Sequence, residues 1–377
     1  MPIIRAPRGG RIAAAALACL STIAAAHAGP LTPPGGPVAP TPGPEPRTPI
    51  SAATTPGDAD SLFRITQPGS YYLTGNITGA PGKRGIEIAA GNVAIDLAGF
   101  TLAGVEGSLE GIAADGVRNI TIRDGDVTGW GEEGISLENS VFTLTSHIEG
   151  VRATLNGGSG IRVGRGSIIT NCTAASNDGT GISAFSHAVI DGCISELNGG
   201  SGIGGGDNSV VRGCSVRDNG FHGVTGAGMC TIIDCSIHSN EGRGITVLSR
   251  CTIMRNTVAG SGGDGIRVND TCYIAANTCA SNGFETTDGA GILAAGSSNR
   301  IERNVARLND IGIHAAAASN IIIGNTAGAN SAVNYQFAAG NRYGPVLNLT
   351  STSTAGVSGN SAPGTLTSSD SNANITH

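Results

Sequence analysis

The sequence predicts an all-β chain, a single right-handed parallel β-helix solenoid of about eleven coils, mostly 21 residues each. Three observations predict it. A Gly-Ile pair, once Gly-Val, begins at Gly85, Gly111, Gly134, Gly160, Gly181, Gly202, Gly223, Gly244, Gly265, Gly291 and Gly312, with six of the ten steps equal to 21 residues. Self-similarity at a fixed step of 20–50 residues marks a solenoid. Other columns keep the same step: Ile169, Ile190, Val211, Ile232, Ile253 and Ile274 stand nine places after their glycines, and Asn177, Asn198, Asn219, Asn240, Ser261 and Asn282 seventeen places after. The composition agrees, with 60 glycines, 3% aromatic and 13% charged residues, as many short strands joined by tight turns require.

The chain opens on a segment that reads as a secretory signal. Arg5, Arg8 and Arg11 form a basic start, Ile12 to Ala26 is small and apolar, and Ala26-His27-Ala28 offers an Ala-x-Ala cleavage site. The predicted signal peptide is 1–28, which implies a secreted or extracytoplasmic protein, in the periplasm or at the cell surface. Residues 29–50 hold nine prolines and read as an extended linker. Residues 51–84 form an N-terminal lead-in and cap, 85–344 the β-helix, and 345–377 a C-terminal Ser/Thr-rich tail. No segment after the signal is apolar enough to suggest a transmembrane helix.

Loss of residues 1–28 removes three of the 22 basic residues and none of the 28 acidic ones, leaving a formal charge of −9. That balance argues against a nucleic-acid partner.

Within a coil, positions one and three after the glycine are apolar or small, as are seven and nine, and twelve and fourteen. This gives three short strands of period two per coil. Like residues then stack about 4.8 Å apart between coils. The asparagine column falls at a turn just before the next Gly-Ile, where a stacked amide can donate to one neighbouring coil and accept from the other. Leucine-rich repeats share the period but need a Leu-x-x-Leu-x-Leu series that is absent here. Gly204-Gly205-Gly206-Asp207 mimics a calcium-binding nonapeptide, but the period is not nine.

The Asn-(x)-Gly-x-x-Gly-Ile repeat resembles the right-handed parallel β-helix repeat proteins of the pectin-lyase-like superfamily. The lead-in Pro56-Gly57-Asp58-Ala59-Asp60, the run Gln67-Pro68-Gly69-Ser70-Tyr71-Tyr72-Leu73-Thr74-Gly75-Asn76, and Ile95-Asp96-Leu97-Ala98-Gly99-Phe100 resemble a narrower group of secreted bacterial β-helix proteins. The resemblance implies the fold and an extracytoplasmic address, and carries no set activity with it. The superfamily's enzymes include pectate lyases, polygalacturonases and alginate epimerases, and their local signatures are missing. No Asp-Pro-His-Glu occurs, Trp130 is followed by Gly131 and not by Ile-Asp-His, and His222 lies in Gly-Phe-His-Gly.

Two sets of residues could carry chemistry. Cys172, Cys193, Cys214 and Cys235 form one thiol column and Cys230, Cys251 and Cys272 a second, with Cys279 apart. Buried packing is one reading and a soft-metal site the other. In-register stacking sets the thiols side by side, which predicts that they stay reduced despite export. Among charged rows, Glu196, Arg217 and His238 read as cross-strand pairing. His222, Arg243 and Asp264 each precede a coil's glycine, and these are the candidate catalytic residues. Arg267, with Glu285 and Asp288 from the insertion Phe284 to Ala290, are candidate substrate-binding residues. In that reading His222 takes a proton while an arginine holds a carboxylate.

The functional expectation is a binding or structural role toward a polysaccharide or cell-surface glycan. The alternatives are a polysaccharide lyase, hydrolase or epimerase acting in an exterior groove and, more distantly, a periplasmic metal-handling accessory protein. No cofactor and no metal ligand set are assigned.

Overall fold

The computed structural model describes residues 47–137, 145–284, 289–348 and 370–377. The signal segment, all but the end of the linker, Glu285, Asp288 and residues 349–369 of the tail lie outside the described residues. In one representative coil, strands Ile161–Val163, Ile168–Thr170 and Thr173–Ala175 follow one another around a single turn. Each pairs in parallel with its counterpart 21 residues later: Ile161 with Ile182, Ile169 with Ile190 and Thr173 with Ile194. The bends between strands are made by left-handed residues, here Gly166 (φ 74°), Asn171 (φ 53°) and Ser176 (φ 55°). One such residue turns the chain sharply without a hydrogen-bonded loop, which lets a coil close in so few residues.

The Gly-Ile strands form one sheet of thirteen strands among the described residues. The other two strands of each coil form two faces, joined where single nine-residue strands, Ile120–Thr128 and Ser146–Thr154, run through both. The expectation of about eleven coils is therefore short by one coil at each end. Strand Ser61–Ile65 sets Phe63 against Ile86, and strand Val333–Phe337 sets Tyr335 against Ile313. Those coils carry Leu62-Phe63 and Asn334-Tyr335 where the others carry Gly-Ile, so the sequence signal stops before the fold does. The solenoid also takes in part of the tail, because Asn374–Thr376 pairs with Thr326–Gly328 and with Val346–Asn348.

The inward columns are buried as their periodicity predicts. Ile161, Val163, Ile169, Ile190, Ile232, Ile253 and Ala174 are all fully buried, and each buried Ile or Val contributes about 1.5–3 kcal/mol. The glycine of each Gly-Ile pair is explained by what passes it. A Cβ on Gly181 would lie 2.6 Å from Asn198 Nδ2 and 2.8 Å from Gly202 O.

Three buried hydrogen-bond ladders stitch coil to coil. At position seventeen, Asn177 Nδ2 donates to Asn198 Oδ1 at 2.9 Å and to Ala153 O at 3.0 Å, and Asn177 N donates to Asn198 Oδ1 at 3.1 Å. This ladder runs from Asn156 to Asn240, is interrupted at Ser261, and resumes through Asn282, Asn309 and Asn330. Ser261 Oγ finds no partner. At position twelve the same geometry links Asn256, Asn277, Asn304, Asn325 and Asn374. The third ladder links Asn299 to Asn320, eight places after Gly291 and Gly312, in the column that stands at position seven in earlier coils.

The thiols occupy the same positions in earlier coils. Cys172, Cys193, Cys214 and Cys235 lead into Asn256, and Cys230, Cys251 and Cys272 into Asn299, whose Oδ1 accepts from Cys272 N at 2.8 Å. All eight described cysteines are free and buried. Cys193 Sγ donates to Ile169 O at 3.7 Å and Cys230 N to Cys251 Sγ at 3.3 Å, the Asn pattern in weaker form.

Candidate functional site

The residue just before each Gly-Ile sits at the turn that follows the Asn ladder. In three successive coils it is small and hydroxylic: Ser159, Thr180, Ser201. In the next three it is His222, Arg243 and Asp264, and the stack joins them. Arg243 N donates to His222 Nδ1 at 2.9 Å. Arg243 Nε meets Asp264 Oδ2 at 3.2 Å, and Asp264 Oδ1 accepts from Ala290 N at 3.0 Å. Asp264 is buried, so its charge is spent on the Arg243 guanidinium and a backbone N–H.

These residues line a groove of about 580 Å³ together with Glu241, Gly242, Gly262, Gly263, Arg267, Leu293, Ala295, His314 and Ala316. Arg267 reaches it from the outward side of strand Ile266–Val268, in register with Leu293 and then His314 on the next two coils. Arg267 makes no ion pair among the described residues. The structure thus brings His222, Arg243, Asp264 and Arg267 together.

The bond at Nδ1 fixes the chemistry of His222. Burial first, and then the Arg243 guanidinium, push its pKa down to about 4, so the ring is neutral near pH 7. With Nδ1 accepting from a backbone N–H, the proton of the neutral ring is on Nε2. His222 is then a hydrogen-bond donor, and the geometry does not suit it to taking a proton. Its ring also stacks on the exposed Phe221, centroids 3.8 Å apart.

His314, Glu241 and Leu293 were not singled out in the sequence. His314 falls two places after Gly312, in an outward column that otherwise holds unrelated residues, so no recurrence marks it. In the other charged row Arg217 and Glu196 pair across strands, whereas His238 turns to its own strand. Arg217 bonds Glu196, and His238 Nε2 lies 2.7 Å from Ser236 Oγ.

Residues 84–226 match the family described as a right-handed beta helix region. Residues 186–364 match NosD, described as periplasmic copper-binding protein. The chain is a right-handed parallel β-helix. Among solved structures this β-helix is similar to the A-module of Azotobacter vinelandii mannuronan C-5 epimerase AlgE4, at TM-score 0.54 and 18% identity over 78% of this chain and 88% of that one. The AlgE6 A-module gives 0.52 and 16% over the same shares. The Dettilon tailspike protein gives 0.51 and 17%, over 73% of this chain and 60% of that one. At these identities the likeness is one of fold. No curated protein matches the sequence.

The described residues do not fit a copper site. They contain no grouping of three or more His, Cys, Asp or Glu side chains able to hold a metal ion. The thiols are spent inside the wall, as with Cys172 Sγ donating to Thr170 O at 3.2 Å. No helix among the described residues is long and apolar enough to cross a membrane.

Proposed function

We propose that this β-helix is an extracytoplasmic protein that binds an acidic polysaccharide in the groove around Arg243 and Arg267. The observation that carries the reading is a groove on a rigid wall that presents two guanidinium groups, with Asp264 paired to one of them and Glu241 also in the lining. One guanidinium is oriented by a buried carboxylate, a second makes no ion pair among the described residues, and the Nε2–H of neutral His222 is a further donor. An arginine fork binds a carboxylate bidentately, and a neutral imidazole N–H can hold a ring hydroxyl. The net charge of the chain repels a polyanion at long range, so recognition rests on this local arrangement. Two of the fold's neighbours are named for acting on mannuronan, an acidic polymer, which accords with this reading. The signal-like segment 1–28 and the periplasmic description of one matched family support export. Intact mass of the exported protein should show cleavage after Ala28, the 29–50 segment then joining the solenoid to its new N-terminus.

Calorimetric titration with defined uronate oligosaccharides tests the function. Wild type should bind, Arg267→Ala should lose roughly tenfold or more in affinity, and Glu196→Ala on the other row should bind as wild type does. Silence of the wild type across uronate and sulfated oligosaccharides would overturn the reading. Turnover is a second reading, favoured by one observation: His314 and Glu241, side chains of a kind that exchange protons, line the groove with Arg267. Release of unsaturated ends, or epimerised product by NMR, lost in His314→Ala but kept in Glu196→Ala, would establish it.

A further inference from the structure

We infer that Phe221 and Phe284 are sugar-stacking platforms at the two ends of this groove, so that its ligand lies parallel to the solenoid axis and spans three coils. The inference rests on the glycan reading above and deepens it. Both side chains are more than half exposed, Phe221 at 54% and Phe284 at 65%. Both stand nineteen residues after their coil's glycine, Gly202 and Gly265. In the neighbouring coils that place is glycine: Gly179, Gly200, Gly242 and Gly263.

The stack carries this column from Phe221 through Gly242 to Gly263 and, one coil on, as far as Gly283, the residue before Phe284. Gly242 N donates to Phe221 O, and Gly263 N to Gly242 O, at 2.6 and 2.9 Å. Gly283, just before Phe284, donates to Ser261 O at 2.8 Å, as Gly262 donates to Asn240 O one coil earlier. Gly242 and Gly263 line the groove, and Phe221 stacks on His222, which lines it too. The two phenyls therefore flank a floor with no side chains, about 14 Å apart at the coil spacing. The floor must stay bare: a Cβ on Gly242 would lie 2.4 Å from His222 Nδ1.

This arrangement suits a chain of pyranose rings. Their C–H faces pack on the electron-rich face of an aromatic ring while their carboxylates and hydroxyls turn to polar partners. Here the partners are Arg243, Arg267 and His222, along one side of the bare floor. An apolar ligand would leave the guanidinium of Arg267 unpaired, and a small anion would reach neither phenyl.

The test is a length series of uronate oligosaccharides from disaccharide to octasaccharide, titrated into the whole protein. Affinity should rise with length and level off once the chain bridges both rings. Phe221→Ala and Phe284→Ala should each lose roughly tenfold on the long oligomers, the value of one ring face, and should flatten the length dependence. Phe221→Trp should bind as wild type does, which separates a platform from a residue that merely supports His222. If wild type binds and both alanine variants bind equally well, the platforms are refuted while the arginine groove stands. If Arg267→Ala also binds equally well, the groove reading itself fails.

Discussion

Position twelve of the repeat holds thiols in one half of the solenoid, Cys172 to Cys235, and amides in the other, Asn256 to Asn374. The two halves keep one hydrogen-bond plan with different atoms. In the amide half, Asn277 Nδ2 donates to Ile253 O at 2.9 Å and to Asn304 Oδ1 at 3.0 Å. In the thiol half, Cys193 Sγ donates to Ile169 O at 3.7 Å and to Asp191 O at 3.4 Å. A thiol is a weak donor with one proton, so it fills the same space with less hydrogen-bond energy. At this column the wall is thus held mainly by packing where the thiols stand and by packing plus an amide ladder beyond them, while the ladder at position seventeen runs through the thiol coils as well.

The sharpest way to break this comparison is one truncation in each half of the same column. Asn277→Ala removes the Oδ1 that accepts from Asn256 N and Nδ2 and the Nδ2 that donates to Ile253 O and Asn304 Oδ1, leaving Asn304 Oδ1 only the backbone N–H of residue 277, and should lower stability by about 3 kcal/mol. Cys193→Ala loses weak bonds and a small apolar volume and should cost about 1 kcal/mol. Urea denaturation reads both. Equal midpoints would mean that the ladder adds nothing beyond packing.

The interruption at Ser261 offers the reverse experiment. Its hydroxyl has no partner, and the Nδ2 of Asn240 below it turns to Val216 O and His238 O. Ser261→Asn should reconnect Asn240 to Asn282 and raise stability by about 1 kcal/mol. An unchanged or lower midpoint would show that the gap is needed where it stands, directly before the groove's Gly262.

Acid should act at the groove, whose His222 stands among the last thiol coils. His222 is held at about 4 in the folded chain, below the 6.5 of a free histidine. The unfolded state therefore binds more protons between these values. The contribution of the neutral ring is complete above pH 6.5 and is lost as pH falls through 4. NMR of the ring should show no protonation between pH 8 and 5.5. A midpoint near 6.5 would refute the Nδ1 bond and return His222 to the role of base.

How much of this was legible in the sequence follows from what repeats. The Ile169 and Asn177 columns recur at a constant step, and their inward direction could be read directly. The equivalence of Cys235 and Asn256 was visible as a shared column, but not as a shared hydrogen-bond plan, because residue type alone does not place the carbonyl a coil away. The end coils at Phe63 and Tyr335 lack the glycine that a passing Asn amide enforces elsewhere. His222, Arg243 and Asp264 stood out because unlike residues follow one another at one place, whereas the structural columns repeat a single type. His314 interrupts nothing, and only the closure of the coils brings it to Arg267.

The smallest effect concerns the bends, where both halves mix residue types. The left-handed residue between the second and third strands is Gly213 (φ 61°) in one thiol coil and Ala276 (φ 54°) in one amide coil, while Asn171 (φ 53°) and Gly324 (φ 63°) stand at the same bend in others. Gly213 and Ala276 are both exposed. A side chain in this region costs about 1–2 kcal/mol, partly offset by the greater freedom a glycine loses on folding, about 0.5–1 kcal/mol. Ala276→Gly should then stabilise by about 0.5 kcal/mol, and Gly213→Ala should destabilise by a similar amount. A Cβ on Gly213 meets nothing closer than Asp191 Oδ1 at 3.7 Å, so the change reports the backbone and not a clash. If Gly213→Ala costs several times more than Ala276→Gly gains, the thiol half is the less tolerant wall, as its weaker ladder implies. Equal and opposite shifts would show that the bends act independently of what lines the interior.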